Sequence, residues 1–291
     1  MSDIAVQELM TIAIKVIDTS LRDDFGFSHI LCGRRGVHCW VCDGKATRLN
    51  NEQRAAILGY FRVYKGNENS SKNVSLVGPA LHPFLVRSYT EVLKDYFENR
   101  QLSSQNLFLN EERFEKILEM IPDVYATVTS ELRGKWLSNK RSKEEINVVR
   151  WDQLKHLLQS SKQKGQGLRR CIEEIVFSFT YPRLDMEHMN HLLKAPFCVH
   201  LKTGRVCVPI NPKNCEEFDP CAVPTLSQLL GELNTGGLRG EGDNEWDGTS
   251  LGDCVSYFRE SFLQPLLKSC KEEIETSYNA KVQQSRNSIS W

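Results

Sequence analysis

Between residues 46 and 165 the apolar residues of this chain recur with a helical period, while the flanking stretches read as strands and turns. "NNEQRAAILGYFRVYK" opens on polar residues able to cap a helix and keeps Ile57, Leu58 and Phe61 on one face. "HPFLVRSYTEVLKDYFENR" places a proline at the start of a helix and sets Leu85, Tyr89, Val92, Leu93 and Tyr96 on one stripe. "NEERFEKILEMIPD", stopped by Pro122, and "KEEINVVRWDQLKHLLQ" predict two more helices. Residues 26–43 differ: "FGFSHIL", a Gly-Arg-Arg-Gly turn and "VHCWV" predict a β-hairpin. A helical block lodged between strand-like parts means that those parts come from both sides of it. The expectation is an α+β fold in which residues 1–45 and 170–291 form one discontinuous α/β body around a mixed sheet, and residues 46–169 a helical insertion. The hairpin would then lie beside "YPRLDMEHMNHLLKAPFCVH", far away in sequence.

Three further elements complete the reading. Leu9, Ile12, Ile14, Val16, Ile17 and Leu21 predict an amphipathic first helix. "LRRCIEEIVFSFT" is buried in character and fits a helix or a strand. A long C-terminal helix is expected, kinked at Pro265.

Charge excludes some functions. Lys plus Arg and Asp plus Glu are both 37, so the chain-wide basic footprint of a protein that coats nucleic acid is missing, though a local basic pocket is compatible. No apolar run approaches bilayer length, and the first residues lack a signal peptide's charged region and cleavage site, so no membrane role is expected. The ten cysteines are scattered and mostly in apolar surroundings, which reads as reduced thiols in the cytosol or nucleus.

Chemistry-bearing residues concentrate in two places. Arg34 and Arg35 lie on a glycine-bracketed turn, where two guanidinium forks and backbone N–H groups can approach a phosphate. A solvated hairpin tip explains the same tetrapeptide, and His38 alone reads as an ordinary strand histidine. Cys39 and Cys42 form a CxxC, but no second pair completes four zinc ligands, and strand alternation sends the two thiols to opposite faces. In the second place, Asp185 follows a break after a strongly apolar element, Lys194 ends a short helix, and His200 lies further along an extended segment. Gathered on the Arg-Arg hairpin, these would make a pocket for a metal and a triphosphate. Singly, Asp185 fits a helix cap, Lys194 a complement to a helix C-terminus, and His188 with His191 a surface face.

"GRRGVHCWVCD", "YPRLD", "HLLKAPFCVH" and "KTGRVCVPI", in this order and spacing, resemble the small, catalytic subunit of eukaryotic DNA primase, of the archaeo-eukaryotic primase class. "LMTIAIKVIDTSLRDDFGF" and "FDPCAVPTLSQLL" extend the likeness, which covers nearly the whole chain and is greatest to the plant members. The resemblance implies a nuclear DNA-directed RNA polymerase of the primosome, a nucleotidyltransferase that makes RNA primers for DNA replication from ribonucleoside triphosphates on a single-stranded DNA template. It implies the primase large subunit and DNA polymerase alpha as partners, and Mg2+ or Mn2+ as cofactor. By the same resemblance Arg34, Arg35 and His38 grip the incoming phosphates, Lys194 and His200 add contacts, and Asp185 is a catalytic metal ligand.

The sequence departs from the family pattern. The family's Asp-x-Asp metal pair and four-cysteine zinc cluster precede the part represented here, and this sequence contains neither. Cys32 stands in place of a nucleotide-contacting serine on a shortened strand. A Val-Ser-Lys step is missing after Glu187, and Leu201 replaces a common proline. The expectation is an N-terminally truncated member, inactive alone, or a non-catalytic remnant that binds nucleotide or associates with the large subunit.

Overall fold

The computed structural model describes residues 3–22, 25, 28–32, 36–64, 74, 76, 81–138, 145–160, 166–182, 194–235 and 245–288. The chain divides into two compact units, each discontinuous in sequence: residues 1–20 with 50–189, and residues 21–49 with 190–291. The sequence reading drew its boundaries at 45/46 and 169/170. The difference has a physical source in two helices. The first helix, α1 (Asp3–Leu21), and the one before the chain returns, α9 (Gln166–Thr180), bury Ile12, Val16, Ile175, Val176 and Phe177 in the aromatic core of the helical unit. The segment that fitted either helix or strand is thus helical.

Between them the helical unit runs through α2 (Asn51–Phe61), α3 (Pro83–Ser88), α4 (Lys94–Tyr96), α5 (Leu102–Ser104), α6 (Glu111–Leu118), α7 (Ala126–Ser138) and α8 (Ile146–Ser160). Local chemistry sets the starts. Asn50 and Gln53 form a reciprocal capping box at α2, and Asn110 accepts the Arg113 N–H at 3.0 Å to open α6. From α3 to α5 the helix is continuous, widened by π-turns at Tyr89–Leu93 and Phe97–Gln101.

The core of this unit is aromatic. Phe97 meets Trp151 edge-on at 4.9 Å between centroids, and Trp136 does the same with Phe108 at 5.5 Å and Phe114 at 5.3 Å. Two polar side chains of α8 enter this core to hold the α5–α6 loop. Buried Asn147 accepts the Phe108 N–H at 2.8 Å, and Arg150 donates to the carbonyls of Phe108 at 2.6 Å and Trp136 at 2.8 Å. The Arg150 guanidinium also lies over Phe114 at 5.0 Å. Burial lowers its pKa.

Glu98 receives N–H bonds from Trp151 and Lys155, both at 2.9 Å. Burial pushes its carboxyl upward, but those hydrogen bonds and the Lys155 and Lys94 charges outweigh it, and the net shift is down.

The second unit contains the sheet, ordered β2-β1-β3, from β1 (Ser28–Cys32), β2 (Val37–Val41) and β3 (Pro209–Ile210). The fold class is α+β, as expected. Every described pairing in the sheet is antiparallel, a narrower result than the mixed sheet expected. After it come α10 (Leu226–Thr235), α11 (Gly252–Phe258) and α12 (Gln264–Ser288). The interruption expected at Pro265 is a π-turn, Arg259–Leu263, immediately upstream. Proline cannot donate the next helical bond and its ring crowds the preceding turn, which the wider π-turn relieves.

Asn147→Ala orphans the buried Phe108 N–H, and the expected loss is about 1–3 kcal/mol of unfolding free energy, read from the urea midpoint at unchanged slope. Because the Glu98 pKa is depressed on folding, its stabilisation is complete above the ordinary glutamate range and lost as pH falls through the folded value. Melting of Glu98→Gln should therefore lie below that of the parent near neutrality, with the gap closing below about pH 4.

Candidate functional site

β1 is hydrogen-bonded on both sides. Leu31 lies opposite His38 on β2 and opposite Pro209 on β3, and Ile30 lies opposite Cys39 and Ile210. Side chains on a strand alternate, and partners across antiparallel strands share a face. One face therefore carries Leu31, His38 and Trp40, and the other Ile30 and Cys39. Leu31 and Ile30, one on each face of β1, are both buried.

Trp40 supplies the link to the second cluster. Its indole Nε1–H donates to the backbone carbonyl of Lys194 at 3.0 Å, across most of the unit's sequence separation. His38, two residues earlier on β2, leaves the strand on the Trp40 side, so the imidazole and the start of the 194–210 segment belong to one face. Arg34, Arg35 and Asp185 lie outside the described residues.

From Lys194 the chain turns rather than running extended to His200. Cys198 N–H closes on the Ala195 carbonyl at 3.2 Å, and Phe197 adopts a left-handed φ of 61°. Such a backbone is uncommon for a bulky residue. Here it is held by the Phe197 N–H to Cys207 carbonyl bond at 2.7 Å and an edge-on contact of its ring with Phe258 at 5.5 Å. A tight hairpin follows, with Val199 bridged to Val206 and His200 N–H bonded to the Arg205 carbonyl at 2.8 Å. Gly204 closes the tip with a φ of 67°, where a Cβ would be strained. Leu201, in the place where the resemblance has a proline, is 99% exposed at that tip and packs against nothing. Arg205 bonds the Val223 carbonyl at 2.5 Å and Val206 N–H the Pro224 carbonyl at 3.0 Å, which tie the hairpin to the strand-like start of α10.

His200 Nδ1 lies 3.0 Å from Thr203 Oγ1. With the threonine hydroxyl donating, Nε2 carries the proton and is the ring's remaining donor; a protonated ring donates from both nitrogens. In these two forms an anion meets a donor at Nε2, whereas the tautomer with its proton on Nδ1 donates to the threonine hydroxyl and leaves Nε2 an acceptor. Lys194 adds an ammonium on a segment whose backbone is pinned by Trp40. Three of the expected site residues, His38, Lys194 and His200, thus occupy one compact unit. Trp40 and Thr203 were not singled out from the sequence. Thr203 carried a local signal, a hydroxyl three residues after a histidine in a turn; Trp40 carried none beyond sharing strand parity with His38.

Cys39 and Cys42 are among nine described free thiols. Burial first, then the neighbouring Asp43 and Cys270, raises the Cys42 thiol, which keeps it protonated. Among the described residues no three His, Cys, Asp or Glu side chains gather as a metal site would require. Asp185 lies outside those residues and this sequence contains no Asp-x-Asp, so the described donors do not by themselves compose a two-ion centre. No step through a metal follows from them.

The family model described as DNA primase small subunit matches residues 3–212. The DNA primase small subunit of Schizosaccharomyces pombe is 37% identical over 235 residues, 77% of this chain and 50% of that protein. That of Drosophila melanogaster is 35% identical over 240 residues, 78% of this chain and 54% of the relative. That of Saccharomyces cerevisiae is 36% identical over 274 residues, 90% of this chain and 62% of the relative. The chain spans about half the length of the first two of these proteins. The arrangement of hairpin and Lys-to-His segment is therefore that of a polypeptide belonging to the DNA primase small subunit family.

Proposed function

We propose that this chain carries the nucleotide-gripping part of a primase small subunit. In this reading Arg34, Arg35 and His38 from the hairpin, with Lys194 and His200 from the later segment, bind the triphosphate of a ribonucleotide used in RNA primer synthesis for DNA replication. One observation supports the reading: the Trp40 indole bonded to the Lys194 carbonyl ties the start of the later segment to the strand that carries His38. Guanidinium, ammonium and imidazole donors, if brought together as proposed, are suited to a polyanion. Such donors would orient the triphosphate and offset its charge, the positioning and electrostatic parts of phosphoryl transfer. A single-stranded DNA template, the primase large subunit and DNA polymerase alpha as partners, and a nuclear location complete the proposal.

A second reading is favoured by the donor set. Asp185 is the one carboxylate assigned to metal by resemblance, and a two-ion mechanism needs carboxylates holding both ions. The chain by itself would then bind nucleotide, or dock on the large subunit, without polymerising. Supplied with Mg2+ or Mn2+, nucleotides and a polypyrimidine template, the purified chain is expected to yield no primers; abundant products would overturn this second reading and leave the pocket intact.

Calorimetric titration with a ribonucleoside triphosphate tests the pocket. Arg34→Ala and Arg35→Ala should each weaken binding by about 10- to 150-fold, the worth of one or two charge-assisted hydrogen bonds. Equal affinity of both variants and parent would remove the hairpin from the site.

A further inference from the structure

The helical unit presents an aromatic pair on its surface. Tyr60, at the end of α2, is 58% exposed, although a side chain of this size gains most when covered. Its ring is backed by the imidazole of His82, with centroids 4.9 Å apart and planes at 40°. His82 is the N-cap of α3, and its Nδ1 accepts the Phe84 N–H at 3.4 Å. That bond orients the ring and leaves Nε2 as its donor.

The pair is held from beneath. Phe61, the next residue after Tyr60, packs edge-on against Phe84 with centroids 4.4 Å apart. Phe84 and Val63 are buried. The end of α2 is thereby anchored to the same turn of α3 that carries His82, so both exposed rings have fixed positions before any ligand arrives. Arg62, the C-cap of α2, is exposed two residues beyond Tyr60. No residue of α2 is buried, so the helix does not explain itself as a core element.

Resting on the proposed role in primer synthesis, we infer that Tyr60, backed by His82, is a stacking platform for an unpaired base of a single DNA strand, with Arg62 meeting an adjacent phosphate. A π face accepts any base, which suits a strand whose sequence varies, and a guanidinium follows the backbone. The imidazole donor and the charged neighbour argue against a purely apolar occupant such as a hydrophobic helix. Bases within a duplex are already stacked, so the platform suits a single strand.

The test is fluorescence anisotropy of a labelled oligodeoxynucleotide with the full chain at fixed salt. Tyr60→Ala should weaken binding by about 5- to 150-fold, the range for one lost base–aromatic stack. Tyr60→Phe should bind as the parent does, and Arg62→Ala should reduce the salt slope by about 0.7. An oligonucleotide with abasic positions should bind the parent as weakly as the intact strand binds Tyr60→Ala. Strand binding by the parent that Tyr60→Ala leaves unchanged would overturn the platform alone, as would an equal loss in Tyr60→Phe or an undiminished loss on the abasic strand. A parent that binds triphosphate yet no strand would overturn the platform and the template part of the proposed function, leaving the nucleotide pocket.

Discussion

The antiparallel pairing of β1 on both edges is the constraint on which the strand-containing unit rests. One neighbour, β2, is local and needs only a short turn. The other, β3, begins at Pro209 and can be reached only after the chain has left at residue 49 and returned at residue 190. Loop-closure entropy grows only logarithmically with length, so a long excursion adds little to the cost of the pairing. The excursion packs its own aromatic residues, from Phe97 and Phe108 through Trp136 and Trp151, into one core together with Ile12 and Val16 of α1, and that burial offsets the ordering entropy of its residues.

The same pairing prepares the chemistry. Strand parity puts His38 and Trp40 on one face, and the Trp40 indole fixes the backbone at Lys194. The left-handed Phe197 and the Gly204 turn then fold His200 back instead of letting it run outward. Each of these is a backbone hydrogen bond or a steric choice rather than a contact with ligand. They arrange donors in advance, which is how a binding site avoids spending interaction energy on its own ordering.

Much of the fold was legible because it is governed by periodicity. Helical spacing around Ile57, Leu93, Ile117 and Leu154 and strand alternation through "VHCWV" named the elements, and Asn50, Pro122 and Pro265 punctuated them. "LRRCIEEIVFSFT" stayed ambiguous because a short apolar run satisfies a helix or a strand, and only its neighbours Phe97 and Tyr89 decide. The compact units divide the chain elsewhere than the periodicity did for a related reason: α1 and α9 have faces whose partners lie elsewhere in the chain, and a pattern does not name its partner. That the Lys194 segment would meet the His38 strand could be expected from family likeness, but the bond that ties them, from Trp40, could not. An indole N–H seeking a carbonyl leaves no periodic trace.

The sequence by itself determined most of the helices and the hairpin strands, several of their starts, and that cationic and imidazole donors fall in two short stretches, since those are properties of neighbouring residues. The tertiary structure alone decided that the two stretches share a unit, that the path from Lys194 to His200 doubles back, and that Tyr60 and His82 meet at the surface. Those outcomes depend on long-range hydrogen bonds and ring contacts whose energies are realised only once distant parts of the chain are side by side.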